Sequence, residues 1–301
     1  MRLNKRELSF LTKFYPEKNP IGLLSGKDLQ LKGDEEKELE KKGVLIHGNL
    51  TPEAKEIIDI AAIPQRCTRL VLKDGSYYIE KYSYRVNNDY TLLENEDGEI
   101  IFSTVEKMDE AVFQLSQWIG ISDLKTFDIN NSFKNDELLL LLSIVDIQRT
   151  KTLFSYLGKE ESRKISLEQI QKQLDQQESG SLTSILTGNY QFTVPEIEAV
   201  PGILKDLINK GVLSFESEYS LLGQYDEFAK NFLIPQTVVI LETFNLLDND
   251  EIAGAGVLSI VAGMREIITI VFKEENVEIA SVSARQLLKM MEDFLYCPDV
   301  N

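Results

Sequence analysis

The chain has 301 residues, 43% hydrophobic and 27% charged, the balance of a globular protein with a core of its own. Its 49 acidic residues against 32 basic ones give a formal charge of −17 and a pI near 4.6. That sign disfavours nucleic acid and anionic membrane surfaces as partners, and two cysteines without a CxxC spacing exclude zinc-finger and dithiol redox motifs.

From the N-terminus, Met1 to Arg6 is basic, but Lys13, Glu17 and Lys18 break the apolar run that a signal peptide would need. A helical stretch then ends at Gly43, followed by a short strand or wing at Val44–Ile46 and Leu50 and a helix from Pro52 to Ile58. Four strands are expected next, at Thr68–Leu72, Ser76–Tyr84, Tyr90–Leu93 and Glu99–Phe102, with Asp74-Gly75, Asn87-Asn88-Asp89 and Asp97-Gly98 as turns. Apolar residues at helical spacing predict a closing helix over Glu106–Ile119. Periodicity breaks between Leu124 and Asp136, which divides the chain into domains 1–125 and 126–301.

The second domain has a longer helical lead-in, with helices expected over Leu138–Tyr156 and Leu167–Gln176. The apolar run from Leu138 to Val145 stops at Asp146, far below the roughly 20 residues a membrane span requires, so a cytoplasmic chain with no membrane insertion is expected. The order seen in the first domain then returns. Leu207 to Leu213 (LINKGVL) matches Leu39 to Leu45 (LEKKGVL), and Ile234-Pro235-Gln236 matches Ile63-Pro64-Gln65. Strands at Thr237–Glu242, Gly254–Val261, Glu266–Phe272 and Val277–Ala280 precede a closing helix over Ser283–Tyr296. The fold class expected is α+β: two pseudo-symmetric repeats, each a winged-helix-like part, an antiparallel meander and a closing amphipathic helix.

No arrangement with catalytic spacing emerges. GxSxG, HExxH and P-loop motifs are absent. The one histidine, His47, reads as a loop residue, and Gly254-Ala255-Gly256 reads as a strand in close packing rather than a dinucleotide loop. The acidic clusters at Asp34–Glu36, Glu94–Glu99 and Asp248–Glu251 lack EF-hand spacing and read as solvated helix starts and turns. No catalytic residue, cofactor or metal is therefore assigned. The hairpin with Tyr78, Tyr82, Tyr84, Arg85 and Tyr90 admits two readings: a protein-binding face of exposed tyrosines among basic residues, or strand residues packing on the closing helix.

A winged-helix unit suggests a transcriptional regulator, but the helix before Gly43 opens with Asp34-Glu35-Glu36, which would meet phosphate badly. The whole order of elements, carried by Gly43 and Gly211, Pro64 and Pro235, the two meanders and the closing helices at Glu106 and Ser283, resembles the EspG family of type VII (ESX) secretion chaperones. The resemblance implies a non-enzymatic cytoplasmic chaperone or adaptor that holds a small helical secreted protein soluble. It transfers no binding residue by position. A winged-helix regulator or regulator-like adaptor is the alternative reading.

Overall fold

The computed structural model describes residues 1–26, 30–75, 77–103, 108–159, 162–176, 178–247, 251–273 and 276–297. In chain order, β1 (Arg2–Asn4) leads into α1 (Lys5–Leu11), then α2 (Glu35–Lys41), the hairpin β2 (Leu45–Ile46) and β3 (Asn49–Leu50), and α3 (Pro52–Ala62). Four strands follow, β4 (Arg66–Asp74), β5 (Tyr77–Val86), β6 (Asp89–Glu96) and β7 (Glu99–Ser103), and then α4 (Met108–Ile119). β8 (Asn130–Phe133) leads into α5 (Asn135–Tyr156), α6 (Leu167–Gln176), α7 (Leu182–Asn189) and α8 (Val200–Asn209). The hairpin β9 (Leu213–Phe215) and β10 (Tyr219–Leu221), then α9 (Gly223–Asn231), precede β11 (Thr237–Leu246), β12 (Ile252–Val261), β13 (Ile267–Phe272), β14 (Val277–Ser281) and α10 (Ala284–Leu295).

The fold is α+β, as expected. Helix, two-strand hairpin, helix, four strands and helix occur in that order from α2 to α4 and again from α8 to α10. The chain packs as two compact units, residues 1–118 with 239–257 and 288–301, and residues 119–238 with 258–287. A division at residue 125 follows the order of elements and not this packing, because β11 lies beside β4 and Cys297 bonds to Ser83.

In the first unit the strands run β1-β7-β6-β5-β4-β11. The β4–β5 hairpin turns at Asp74-Gly75 and pairs Asp74 with Tyr77, Arg69 with Tyr82 and Cys67 with Tyr84. Since side chains alternate across a strand, Cys67, Arg69, Tyr78, Glu80, Tyr82 and Tyr84 share one face. At one end of that face Cys67, Tyr84, Leu93 and Phe102 form a core with Leu8, Leu39, Ile58 and Ala61 of the helices. Local signals explain those helices. Asn4 and Glu7 form a reciprocal capping box on α1, and Thr51 caps α3 ahead of Pro52.

The second unit is built around α5. Its residues Leu138 to Arg149 are buried on every side, the signature of a central helix. Helices α6, α7, α8 and α9 each pack against it, and β13, β14 and β8 form an antiparallel ladder.

Three elements were not anticipated. The edge strands β1 and β8 are short, and three of the four residues of β8 are exposed and polar, so no alternation marks it. Helix α7 is a Ser- and Thr-rich segment whose stability comes from a buried carboxylate 36 residues earlier: Asp146 accepts from the Leu182 and Thr183 amides at 2.9 and 3.1 Å. The expected helix start at Glu106, the strand start at Ser76, the turn at Asp248–Asp250 and part of the Lys273–Asn276 turn lie outside the described residues.

Candidate partner-contact face

Beyond the helix-covered end, the same face of the first unit carries polar side chains. The Arg69 guanidinium donates from Nε to Glu80 Oε1 at 2.8 Å and from Nη1 to Glu242 Oε2 at 3.0 Å. The Tyr82 hydroxyl donates to Glu80 Oε1 at 2.9 Å, and Asn95 Nδ2 donates to Glu80 Oε2 at 3.3 Å. Tyr78, two residues before Glu80, is 52% exposed beside this cluster.

The electrostatics follow from that geometry. Burial works against the Glu80 carboxylate, yet the bonds from Arg69, Tyr82 and Asn95 outweigh it and hold its pKa below the usual carboxylate range. Burial and then the Glu80 charge push the Tyr82 phenol up to about 12, and the same two causes raise Tyr78. Burial opposes the charge on Arg69, but the two glutamates raise its pKa further. Arg69 and Glu80 are therefore held in their ionised forms and in position, a pre-ordered polar surface with an exposed aromatic ring at its edge.

The hairpin's candidate residues do not form one surface. Tyr78 and Tyr82 belong to the face just described. Tyr84 shares it but is 4% exposed within the core, so its expected exposure is corrected: α3 packs across β5 and β6 at that point. Arg85 and Tyr90 pair with one another across β5 and β6 on the opposite face, the guanidinium 5.1 Å from the ring centre. Tyr90 there meets Tyr296 edge-on at 6.2 Å. Tyr77, also on that face, meets Trp118 of α4 at 5.5 Å, so packing on the closing helix does occur.

Arg69, Glu80 and Glu242 were not anticipated as a cluster. The Asp74-Gly75 turn contains half of the signal, because a tight hairpin there places Arg69 diagonal to Glu80. Glu242 is 173 residues from Arg69, and no local pattern links them.

Other sequence candidates find plain roles. His47 sits in the β2–β3 turn at φ 50°. A side chain at Gly254 would press on the Phe244 ring at 3.3 Å, which accounts for the glycine at that position of β12. Glu35 is not solvated as expected: it is 3% exposed and accepts from the Lys32 and Gly33 amides at 2.6 and 2.8 Å. Cys67 and Cys297 lie on opposite faces of the sheet. Cys67 is in the helix-covered core, whereas Cys297 Sγ reaches Ser83 beside Thr68, and both thiols are free. Among the described residues, no group of three His, Cys, Asp or Glu side chains is placed to hold a metal, and no helix is long and apolar enough to cross a membrane.

No protein-family model and no curated protein matches this chain. A solved structure does: the Mycobacterium tuberculosis type VII secretion system chaperone EspG5 in complex with a PE25–PPE41 dimer. The likeness covers 100% of this chain and 97% of that one, with a TM-score of 0.52 and 10% sequence identity. At that identity the likeness is one of fold.

Proposed function

We propose that this protein is a non-enzymatic chaperone or adaptor that binds a helical protein partner in the cytoplasm, as part of type VII secretion. The observation that carries this reading is the end-to-end likeness to a chaperone whose solved complex holds a PE–PPE dimer. The likeness spans both chains, so its support extends over the whole fold and not to one part of it. The absence of catalytic spacing in the sequence is in keeping with it.

The contact face in this proposal is that of Tyr78, Tyr82 and the Arg69–Glu80–Glu242 cluster. A tyrosine on a rigid strand offers a large contact area at little entropic cost, and the ion cluster fixes register against a partner's polar groups. Arg85 and Tyr90, on the reverse of the sheet, form a separate patch.

The experiment is a native pull-down of tagged protein from its own host, read by mass spectrometry. Stoichiometric recovery of a small helical secreted protein that is soluble only on co-expression supports the reading. Recovery of DNA with polymerase components moves it to a regulator, and a lone protein sinks the stable chaperone.

A further inference from the structure

We propose that a cavity at the start of α3 in the first unit receives one aromatic ring, the side chain of a phenylalanine carried by a protein partner. The cavity opens at the surface and has a volume of about 310 Å³. Met1, Lys42, Gly43, Val44, Ala54 and Ile57 line it. An apolar cavity of about 150 Å³ already takes up benzene, so a ring has room here.

The second unit shows what such a place holds, because its parts match those of the first. The Lys42 ammonium reaches Glu7 at 2.7 Å and the Arg2 carbonyl at 3.2 Å, and the Lys210 ammonium reaches Glu137 at 2.5 Å and the Ser132 carbonyl at 3.5 Å. The Thr51 amide donates to the Val44 carbonyl at 3.0 Å, and the Leu222 amide to that of Val212 at 2.9 Å. Thr51 and Leu222 are the N-caps of α3 and α9, so Ala54 and Tyr225 are each the third residue of their helix and leave it in the same direction. The Tyr225 ring is 7% exposed and meets Phe133 edge-on at 6.3 Å. Ala54 carries only a methyl group there, and the place of the ring is the cavity.

The walls favour phenyl over phenol. Asn131, three residues before the N-cap of α5, donates from Nδ2 to the Tyr225 hydroxyl. Met1, three residues before the N-cap of α1, lines the cavity and offers a thioether instead. A hydroxyl buried beside it lacks that donor, whereas sulfur and an aromatic ring attract. Val44 and Ile57 supply apolar faces. The Lys42 charge is matched by Glu7, and Glu53 is exposed at the rim, so neither opposes an apolar guest.

The test is titration of the full chain with N-acetylphenylalaninamide, followed by amide chemical shifts, with the tyrosine and alanine amides and toluene as comparisons. The proposal expects saturable one-to-one binding with shifts centred on Val44, Ala54 and Ile57. The tyrosine amide should bind about fivefold more weakly, for one unpaired hydroxyl, and the alanine amide at least about tenfold more weakly, for the missing ring. Ala54→Phe should fill the cavity from within, keep the urea midpoint of the parent or raise it, and abolish binding; should that variant misfold, the smaller filling Ala54→Leu takes its place. No saturable binding, shifts centred elsewhere, or binding that the filled variant retains overturns the proposal. Binding of toluene without the phenylalanine amide overturns it too, since the cavity would then admit free aromatics and not a side chain on its backbone. The titration needs no partner and the cavity uses none of the residues of the partner-contact face, so failure here leaves the chaperone reading in place, and a failed pull-down leaves this site in place.

Discussion

The Lys210 ammonium stands 2.5 Å from Oε2 of Glu137, joining the end of α8 to the start of α5 within the second unit. Glu137 is almost wholly buried, and its carboxylate also accepts the Lys134 amide at 2.8 Å, closing the first turn of α5. The first unit contains the same device: Lys42, after α2, reaches Glu7 at 2.7 Å, and Glu7 accepts the Asn4 amide at 2.7 Å. Removing the lysine would leave a buried carboxylate held by an amide alone. Lys210→Met should cost ~1 kcal/mol, since the lysine is 40% exposed and its charge is screened. Glu137→Ala should cost ~2 kcal/mol, because it removes the helix-start bond as well. Urea unfolding checks both, and two variants indistinguishable from the parent would show the pair to be ornamental.

Acid should weaken the first unit through Glu80. Its carboxyl is held below its ordinary value in the folded chain, so the unfolded chain takes up the proton first as the pH falls. The stability this contributes is complete above the unfolded carboxylate pKa and is lost as pH drops through the lower folded value. Glu80→Gln should therefore be less stable than the parent at neutral pH and lose less stability on acidification below about pH 4.5. Thermal unfolding of both proteins between pH 3 and 7 checks the slope. Parallel curves would mean that the Arg69 bond does not control the titration.

Tyr78 and Tyr84 separate contact from core. Tyr84→Ser removes a ring from the helix-covered core and should cost ~3 kcal/mol, with loss of soluble protein. Tyr78→Ser, at a half-exposed ring, should leave stability within about 0.5 kcal/mol and weaken partner capture. Urea midpoints and the pull-down read side by side decide this. A Tyr78→Ser protein that captures its partner at full strength would remove this face from the proposal.

What was legible in the sequence followed from local chemistry. The meander turns at Asp74-Gly75 and Asp97-Gly98 fell where turn residues predict, α6 and α10 followed their apolar spacing, and α5 followed its continuous apolar run. What was not legible depended on distant partners. The strand β8 is polar and is made a strand only by the ladder that pairs Asn130 to Phe133 with Ala280 to Val277. Helix α7 needs Asp146, and the Arg69 cluster needs Glu242. In the tyrosine hairpin, Tyr78, Tyr82 and Tyr84 share parity on β5 and therefore one face. Parity alone cannot say where along that face the helices end, which is why Tyr84 is core and Tyr78 is not.

An origin of the two halves by duplication, which we propose from the repeated order of elements, makes a quantitative claim at two glycines. Gly43 and Gly211 both sit at φ 71°, and each is followed by a valine whose amide reaches back to a helix carbonyl, Val44 to Leu39 at 2.9 Å and Val212 to Leu207 at 3.0 Å. That is a helix stop requiring the left-handed region. No atom lies within 4 Å of where either glycine's Cβ would stand, so alanine meets no clash at either site and its cost is conformational alone. Gly43→Ala and Gly211→Ala should each cost ~1 kcal/mol, and by the same amount within error. Chemical denaturation monitored by hydrogen exchange in α2 and α8 measures each stop in its own unit. Equal costs fit one inherited stop used twice, whereas costs differing by more than about 1 kcal/mol would mean that the two glycines meet different local demands and that the matched motif is convergent.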